Sequence, residues 1–169
     1  MPLLIQQNVN GYIPFFNRSW AEFKVGFNDS SGNYWLGNEL LHQLASTRRY
    51  KLRFDLQARA NLSWYYAEYS SFRVDSEQTN YTLHMSGYSG NAGHDALSHH
   101  NGMMFTTYDR DNDRWPHSNC AVINGGGFWY KNCVTCRVNG VRGVGEDFSW
   151  HELRGGHLLQ SSRMWLLCR

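Results

Sequence analysis

Residues 108–140 read YDRDNDRWPHSNCAVINGGGFWYKNCVTCRVNG. Three carboxylates alternate at Asp109, Asp111 and Asp113. Two cysteines follow at Cys120 and Cys133, with the run Gly125-Gly126-Gly127-Phe128-Trp129-Tyr130 between them. The acidic run gathers hard oxygen donors on one short turn, the chemistry that calcium takes. It is not an EF-hand loop. Counting from Asp109, the sixth position is Arg114 rather than glycine and the twelfth is Cys120 rather than glutamate. Two readings remain: a different calcium loop of two carboxylates, backbone carbonyls and water, or an acidic surface turn held by Asx-type bonds.

The four cysteines allow three pairings. Cys120 with Cys133 would close a small loop, worth about 3 kcal/mol in the chain-entropy picture, and would leave Cys136 with Cys168. The competing reading is the CxxC formed by Cys133 and Cys136, as a zinc or redox motif. Its ligand spacings to Cys120, Cys168 or histidine are not typical of zinc, and no strand-to-helix turn surrounds it, so disulfides are favoured. Histidines at His94, His99 and His100 sit in a polar stretch with no nucleophile elbow, no HExxH and no acid/base carboxylate pair. An enzyme is not expected.

Outside this patch the chain reads as scaffold. Ser19-Trp20-Ala21-Glu22 is a capping box that opens a short helix through about Phe27, stopped by the turn at 28–32. Asn38 is read as the N-cap of a second helix. Residues 50–56 alternate apolar and polar, 63–74 are aromatic and strand-like, and 81–85 form a third strand. Helices first and strands next, without βαβ alternation, predict an α+β fold with a central antiparallel sheet and short helices. A chain of 169 residues suits one domain, 1–169. About 1–86 would be the helix and sheet scaffold, and about 87–169 a loop-rich subdomain.

A formal charge of +2 with no Lys/Arg run argues against nucleic acid. No apolar run nears the roughly 18 residues of a membrane span. Polar residues follow Met1-Pro2-Leu3-Leu4-Ile5 at once, so no secretory signal is read. The opening is taken as the inside of a longer natural protein, with Met1 an added start. Sequons at Asn17, Asn28, Asn61 and Asn80, together with the cysteines, point to a secreted glycoprotein.

Collinear motifs carry a resemblance over nearly the whole chain: NRSWAEFKVGF at 17–27, YWLGN at 34–38, YKLRFDL at 50–56, HNGMMFTTYDRDND at 100–113, NCA at 119–121, and the glycine-aromatic run ending at Cys133. The sequence resembles the fibrinogen C-terminal (fibrinogen-related) domain of ficolins, tachylectins, tenascins, angiopoietins and the fibrinogen chains. That resemblance implies a partly truncated N-terminal subdomain, a central antiparallel sheet with helices, and a loop-dominated subdomain that holds calcium and ligand. It implies calcium on Asp111 and Asp113 with the backbone carbonyls of Trp115 and His117, and Asp109 in support. It also implies a Cys120–Cys133 disulfide and a cis peptide after the second cysteine, at Cys133–Val134. An acetyl-binding pocket would fall on Asn124, Tyr130, Cys133 and Val134.

Several positions depart from the family pattern. Val134 replaces the usual histidine, Asn124 a pocket aromatic, and 140–150 is shorter than usual. Cys136 stands where serine is common, and a Cys136–Cys168 bridge would compensate for the short loop. The implied function is a secreted, calcium-dependent pattern-recognition lectin of innate immunity. It would bind acetylated carbohydrates such as N-acetylglucosamine, or microbial cell-wall glycans, and agglutinate microbes as a homo-oligomer through regions outside this chain. The alternative is a protein–protein interaction module that captures a receptor or a peptide without binding sugar.

Overall fold

The computed structural model describes residues 1–12, 15, 17–145 and 147–169. In chain order its elements are β1 (Leu3–Asn8), α1 (Trp20–Val25), β2 (Phe27–Asn28), β3 (Tyr34–Trp35), α2 (Asn38–Thr47), β4 (Tyr50–Ala58), β5 (Trp64–Val74), β6 (Leu83–Gly90), α3 (Cys120–Asn124), β7 (Cys136–Arg137), β8 (Ser149–Trp150) and β9 (Leu159–Cys168). The fold is α+β. A seven-stranded sheet runs β2-β3-β1-β9-β4-β5-β6, and β7 and β8 form a small second sheet. Each strand pair is antiparallel.

The local rules explain several elements. The period-2 pattern of β4 buries Tyr50, Leu52, Phe54, Leu56 and Ala58 on one face. The capping box forms as read: Ser19 accepts from the Glu22 amide, and the Glu22 carboxylate accepts from the Ser19 amide at 2.8 Å. Helix α1 then stops at Gly26, whose positive φ of 90° suits glycine, and Phe27 joins β2 rather than the helix. For α2 the expectation is corrected. The N-cap is Gly37, and Asn38 lies inside the helix, buried, with its Oδ1 accepting from the Trp35 indole at 3.1 Å. The third strand begins at Leu83 and reaches Gly90, later and longer than the pattern suggested.

Strands β1 and β9 were not anticipated. They pair with each other, and β9 also pairs with β4 along nearly its whole length. Leu159–Cys168, at the end of the 87–169 stretch, therefore stands at the centre of the main sheet.

An aromatic cluster joins the scaffold to the loops. Phe23 of α1 packs on Phe105 with centroids 5.2 Å apart, and Phe105 packs edge-on against Trp129 at 5.2 Å. Trp35 of β3 completes the group against Trp129 at 6.1 Å. Rings of this size, in tilted and edge-to-face contact, supply much of the buried apolar area. The triple glycine is explained by close approach. A Cβ on Gly126 would lie 2.4 Å from the Asn139 carbonyl oxygen, and one on Gly127 2.6 Å from the Phe23 ring. Gly125 closes α3 in the left-handed region, with φ 79°. Among the described residues no helix is long and apolar enough to cross a membrane.

Candidate functional site

The acidic turn is built by its own carboxylates. Asp113 accepts from the Trp115 amide at 2.7 Å and from the Cys120 amide at 2.7 Å, and Asp111 accepts from the Asp113 amide at 3.2 Å. These are the side-chain-to-backbone bonds expected of Asp in turns. Burial and the nearby charge of Asp111 push the Asp113 carboxyl up, against the pull of its two amide donors. Asp109 faces elsewhere: it accepts from the Trp20 amide at 2.9 Å and the Thr107 hydroxyl at 2.7 Å, tying the start of α1 to the turn. The Trp115 ring packs against the core, and His117 is exposed two residues on. Among the described residues no group of three or more His, Cys, Asp or Glu side chains gathers as a metal cluster.

Asn119 fastens the turn to α3. Its Oδ1 caps the helix by accepting from Ala121 and Val122, while its amide donates to the Thr107 carbonyl at 3.0 Å. The first residue of α3 is bridged: Cys120 and Cys133 form a disulfide. The cis peptide lies at Asn132–Cys133, one residue earlier than expected.

Beyond the bridge the segment 133–136 is held from beneath by His100. This imidazole is fully buried, a fact its place in a polar stretch did not announce. Its Nδ1–H donates to the Trp129 carbonyl at 2.8 Å, and its Nε2 accepts from the Thr135 amide at 3.2 Å and the Cys136 amide at 3.3 Å. Both ring nitrogens are satisfied only by the neutral form. Burial pushes its pKa down to about 3, partly offset by the Trp129 carbonyl. A sequence signal existed in HNG at 100–102, but it carried no sign of burial.

Two cavities flank the bridge. One of about 260 Å³ is lined by Val134, Thr135, Ser149, His151 and His157. A smaller one of about 180 Å³ is lined by Trp115, Ile123, Asn124, Asn132 and Cys133. The four residues expected to form one pocket are therefore divided. Val134 faces the larger cavity, and Asn124 and Cys133 the smaller. Tyr130 is buried, with its hydroxyl donated to the Gly126 carbonyl. Asn124 is buried too. Its amide donates to the Cys120 carbonyl at 2.8 Å, and its Oδ1 has no hydrogen-bond partner among the described residues. Ser149, His151 and His157 were not singled out, because only the folding back of β8 and the turn after it brings them beside Val134.

The chain matches, over residues 2–162, the family described as the C-terminal globular domain of fibrinogen beta and gamma chains. It belongs to that family. Human ficolin-3 is 38% identical over 97% of this chain and 56% of its own length. Mouse microfibril-associated glycoprotein 4 is 36% identical over 87% of this chain and 58% of its own. The chain thus spans little more than half the length of these curated relatives. Among solved structures, the fibrinogen-like globe domain of human ANGPTL2 superposes with a TM-score of 0.88 at 35% identity, covering 99% of this chain and 80% of that one. A lamprey fibrin D-dimer complexed with the peptide Gly-His-Arg-Pro-amide gives 0.85 at 28% identity, covering 98% of this chain and 60% of that one.

Within this fibrinogen-type domain the expected second bridge is corrected. Cys136 is a free thiol buried in β7 opposite Trp150, and Cys168 is a free, exposed thiol at the end of β9 opposite Tyr50. The two belong to different sheets. Burial, and then the charge of Asp95, push the Cys136 thiol well above its ordinary range, which favours the protonated thiol. The CxxC is not a functional pair, since Cys133 is bonded to Cys120.

Proposed function

We propose that this domain is a secreted recognition module that binds acetylated sugars, N-acetylglucosamine or microbial cell-wall glycans carrying it, with calcium and without turnover. The observation that carries this reading is the half-open cavity at Val134 and Thr135, beside the disulfide and on a backbone segment hydrogen-bonded to the buried His100. A preformed concave site with an apolar side chain and a few polar groups suits a small ligand. The 38% identity with ficolin-3 supports the lectin class. Asn17, Asn28 and Asn61 are exposed, in keeping with a glycoprotein, whereas Asn80 is only half-exposed.

Calcium fits the donor chemistry of the acidic turn. Asp111 and Asp113 are two hard-oxygen ligands, and the raised Asp113 pKa marks a carboxylate that a neighbouring cation would relieve. Backbone carbonyls, those of Trp115 and His117 among them, with water would complete the shell. A bound ion would clamp the same turn that Asp113 ties to Cys120, and so steady the bridge and both cavities. One weak site needs multivalency to be useful, so the intact protein would be oligomeric.

Calorimetric titration with N-acetylglucosamine and with glucose, each in calcium and in EDTA, tests the reading. Binding of the acetylated sugar alone, lost in EDTA and in Asp111→Ala, is expected. Equal binding of both sugars overturns the acetyl assignment, and equal binding in EDTA overturns the calcium requirement. The second reading is capture of a protein or peptide. It is favoured by the buried Asn124 at the expected pocket and by the peptide held in the lamprey fibrin structure. It gains if a glycan array gives no signal.

A further inference from the structure

A third cavity, of about 230 Å³, opens at the ends of three adjacent strands and shares no lining residue with the two beside the disulfide. Tyr50 starts β4 and is paired with Cys168 of β9 on one side and Phe72 of β5 on the other. The end of α2 lies over this corner. Four arginines line the opening, Arg48, Arg49, Arg73 and Arg169, with Ser71, and among the described residues no acidic one lines it. All four are exposed. Arg73 meets Asp75 at 3.3 Å, while Arg48, Arg49 and Arg169 make no ion pair among the described residues. Cations after a helix C-terminus complement its dipole, which accounts for Arg48 and Arg49. It does not account for Arg73 and Arg169, which arrive from strand ends to the same opening. In a chain whose formal charge is only +2, this is a local concentration of positive charge.

We propose that this corner binds a sulfated polysaccharide. Guanidinium groups are planar, permanently charged forks matched to sulfate, phosphate and carboxylate oxygens. Four of them, arriving from α2, β5 and the end of β9, suit several sulfates along one chain rather than one isolated anion. A peptide adding as a strand is disfavoured, because β4, β5 and β9 all lie inside the sheet and present no free edge here. Single-stranded nucleic acid is disfavoured because the aromatic rings at the cavity, Tyr50 and Phe72, are buried and offer no stacking face.

The test is titration of the intact chain with a heparin-derived oligosaccharide, its desulfated counterpart, inorganic phosphate, and phosphatidylserine vesicles. The sulfated oligosaccharide should bind, weaken steeply with salt, and lose about tenfold in affinity in the Arg48→Ser/Arg49→Ser double variant, as expected for losing two exposed charge-assisted contacts. The two side chains are exposed, so an unchanged melting temperature checks that the variant folds. EDTA and Asp111→Ala should leave this binding intact, which separates it from the calcium-dependent reading of the loops. Equal binding of the desulfated sugar, or an unchanged double variant, overturns the proposal. Full competition by phosphate, or binding to the vesicles alone, also overturns it, in favour of a free anion or a lipid headgroup.

Discussion

A single neutral imidazole holds the wall of the larger cavity, and its titration should be visible in the whole protein. His100 has an ordinary value of about 6.5 when unfolded and is pushed down to about 3 in the fold. Between those values the unfolded chain binds more protons than the native one, so stability falls as pH falls. The contribution is complete above about pH 6.5, and its loss reaches about 2 kcal/mol at pH 5. His99, lowered by partial burial, adds in the same direction. The carboxyls lowered by hydrogen bonds and cations, Glu22, Glu39 and Glu77, add their own loss only at more acid pH. Urea midpoints between pH 7 and 5 should therefore drop in the parent chain and drop much less in His100→Gln. Equal slopes would show that His100 is not the buried neutral group described above. The sequence showed His100 inside a motif, but neither its burial nor its partners, because Trp129 and Thr135 lie 29 and 35 positions away.

At the scale of elements, the bridged loop between α3 and β7 is where short-range rules stop. Helix α3 has five residues and depends on its Asn119 cap and on Cys120. The cross-link joins residues 13 positions apart, worth about 3 kcal/mol in the unfolded state. Cys120→Ser/Cys133→Ser should lower the urea midpoint by a corresponding amount. A shift below about 0.5 kcal/mol would show that the turn is self-supporting through Asp113 and Asn119. The free cysteines give a sharper check. A thiol reagent should label one position, Cys168, in the native chain and reach Cys136 only after unfolding. The elements legible beforehand were those with local signatures: the capping box at Ser19–Glu22, the period-2 run of β4 and the aromatic run of β5. The second helix was placed correctly, but its cap was misread. Asn38 serves the Trp35 indole instead, a contact that propensity does not encode.

For the whole molecule, β9 decides whether there is one sheet or two. It joins the β1 side to the β4 side, so a chain ending before Leu159 should lose cooperative unfolding and near-ultraviolet signal, not merely its last strand. A native-like spectrum from that truncation would sink this view. The sequence by itself determined the α+β class, the family, the Cys120–Cys133 bridge and the place of the acidic turn, because each is written in neighbouring residues or in a collinear motif. Only the tertiary structure decided that β1 and β9 are strands, that Cys136 and Cys168 never meet, and which residues share a cavity. The physical reason lies in the buried polar groups of those strands. Ser162 donates to the Val138 carbonyl at 3.2 Å, and Gln6 donates to that carbonyl at 2.8 Å and to Ser162 at 3.1 Å. These side chains break the apolar alternation that marks a strand, and they are stable inside only because partners up to 156 positions away satisfy them.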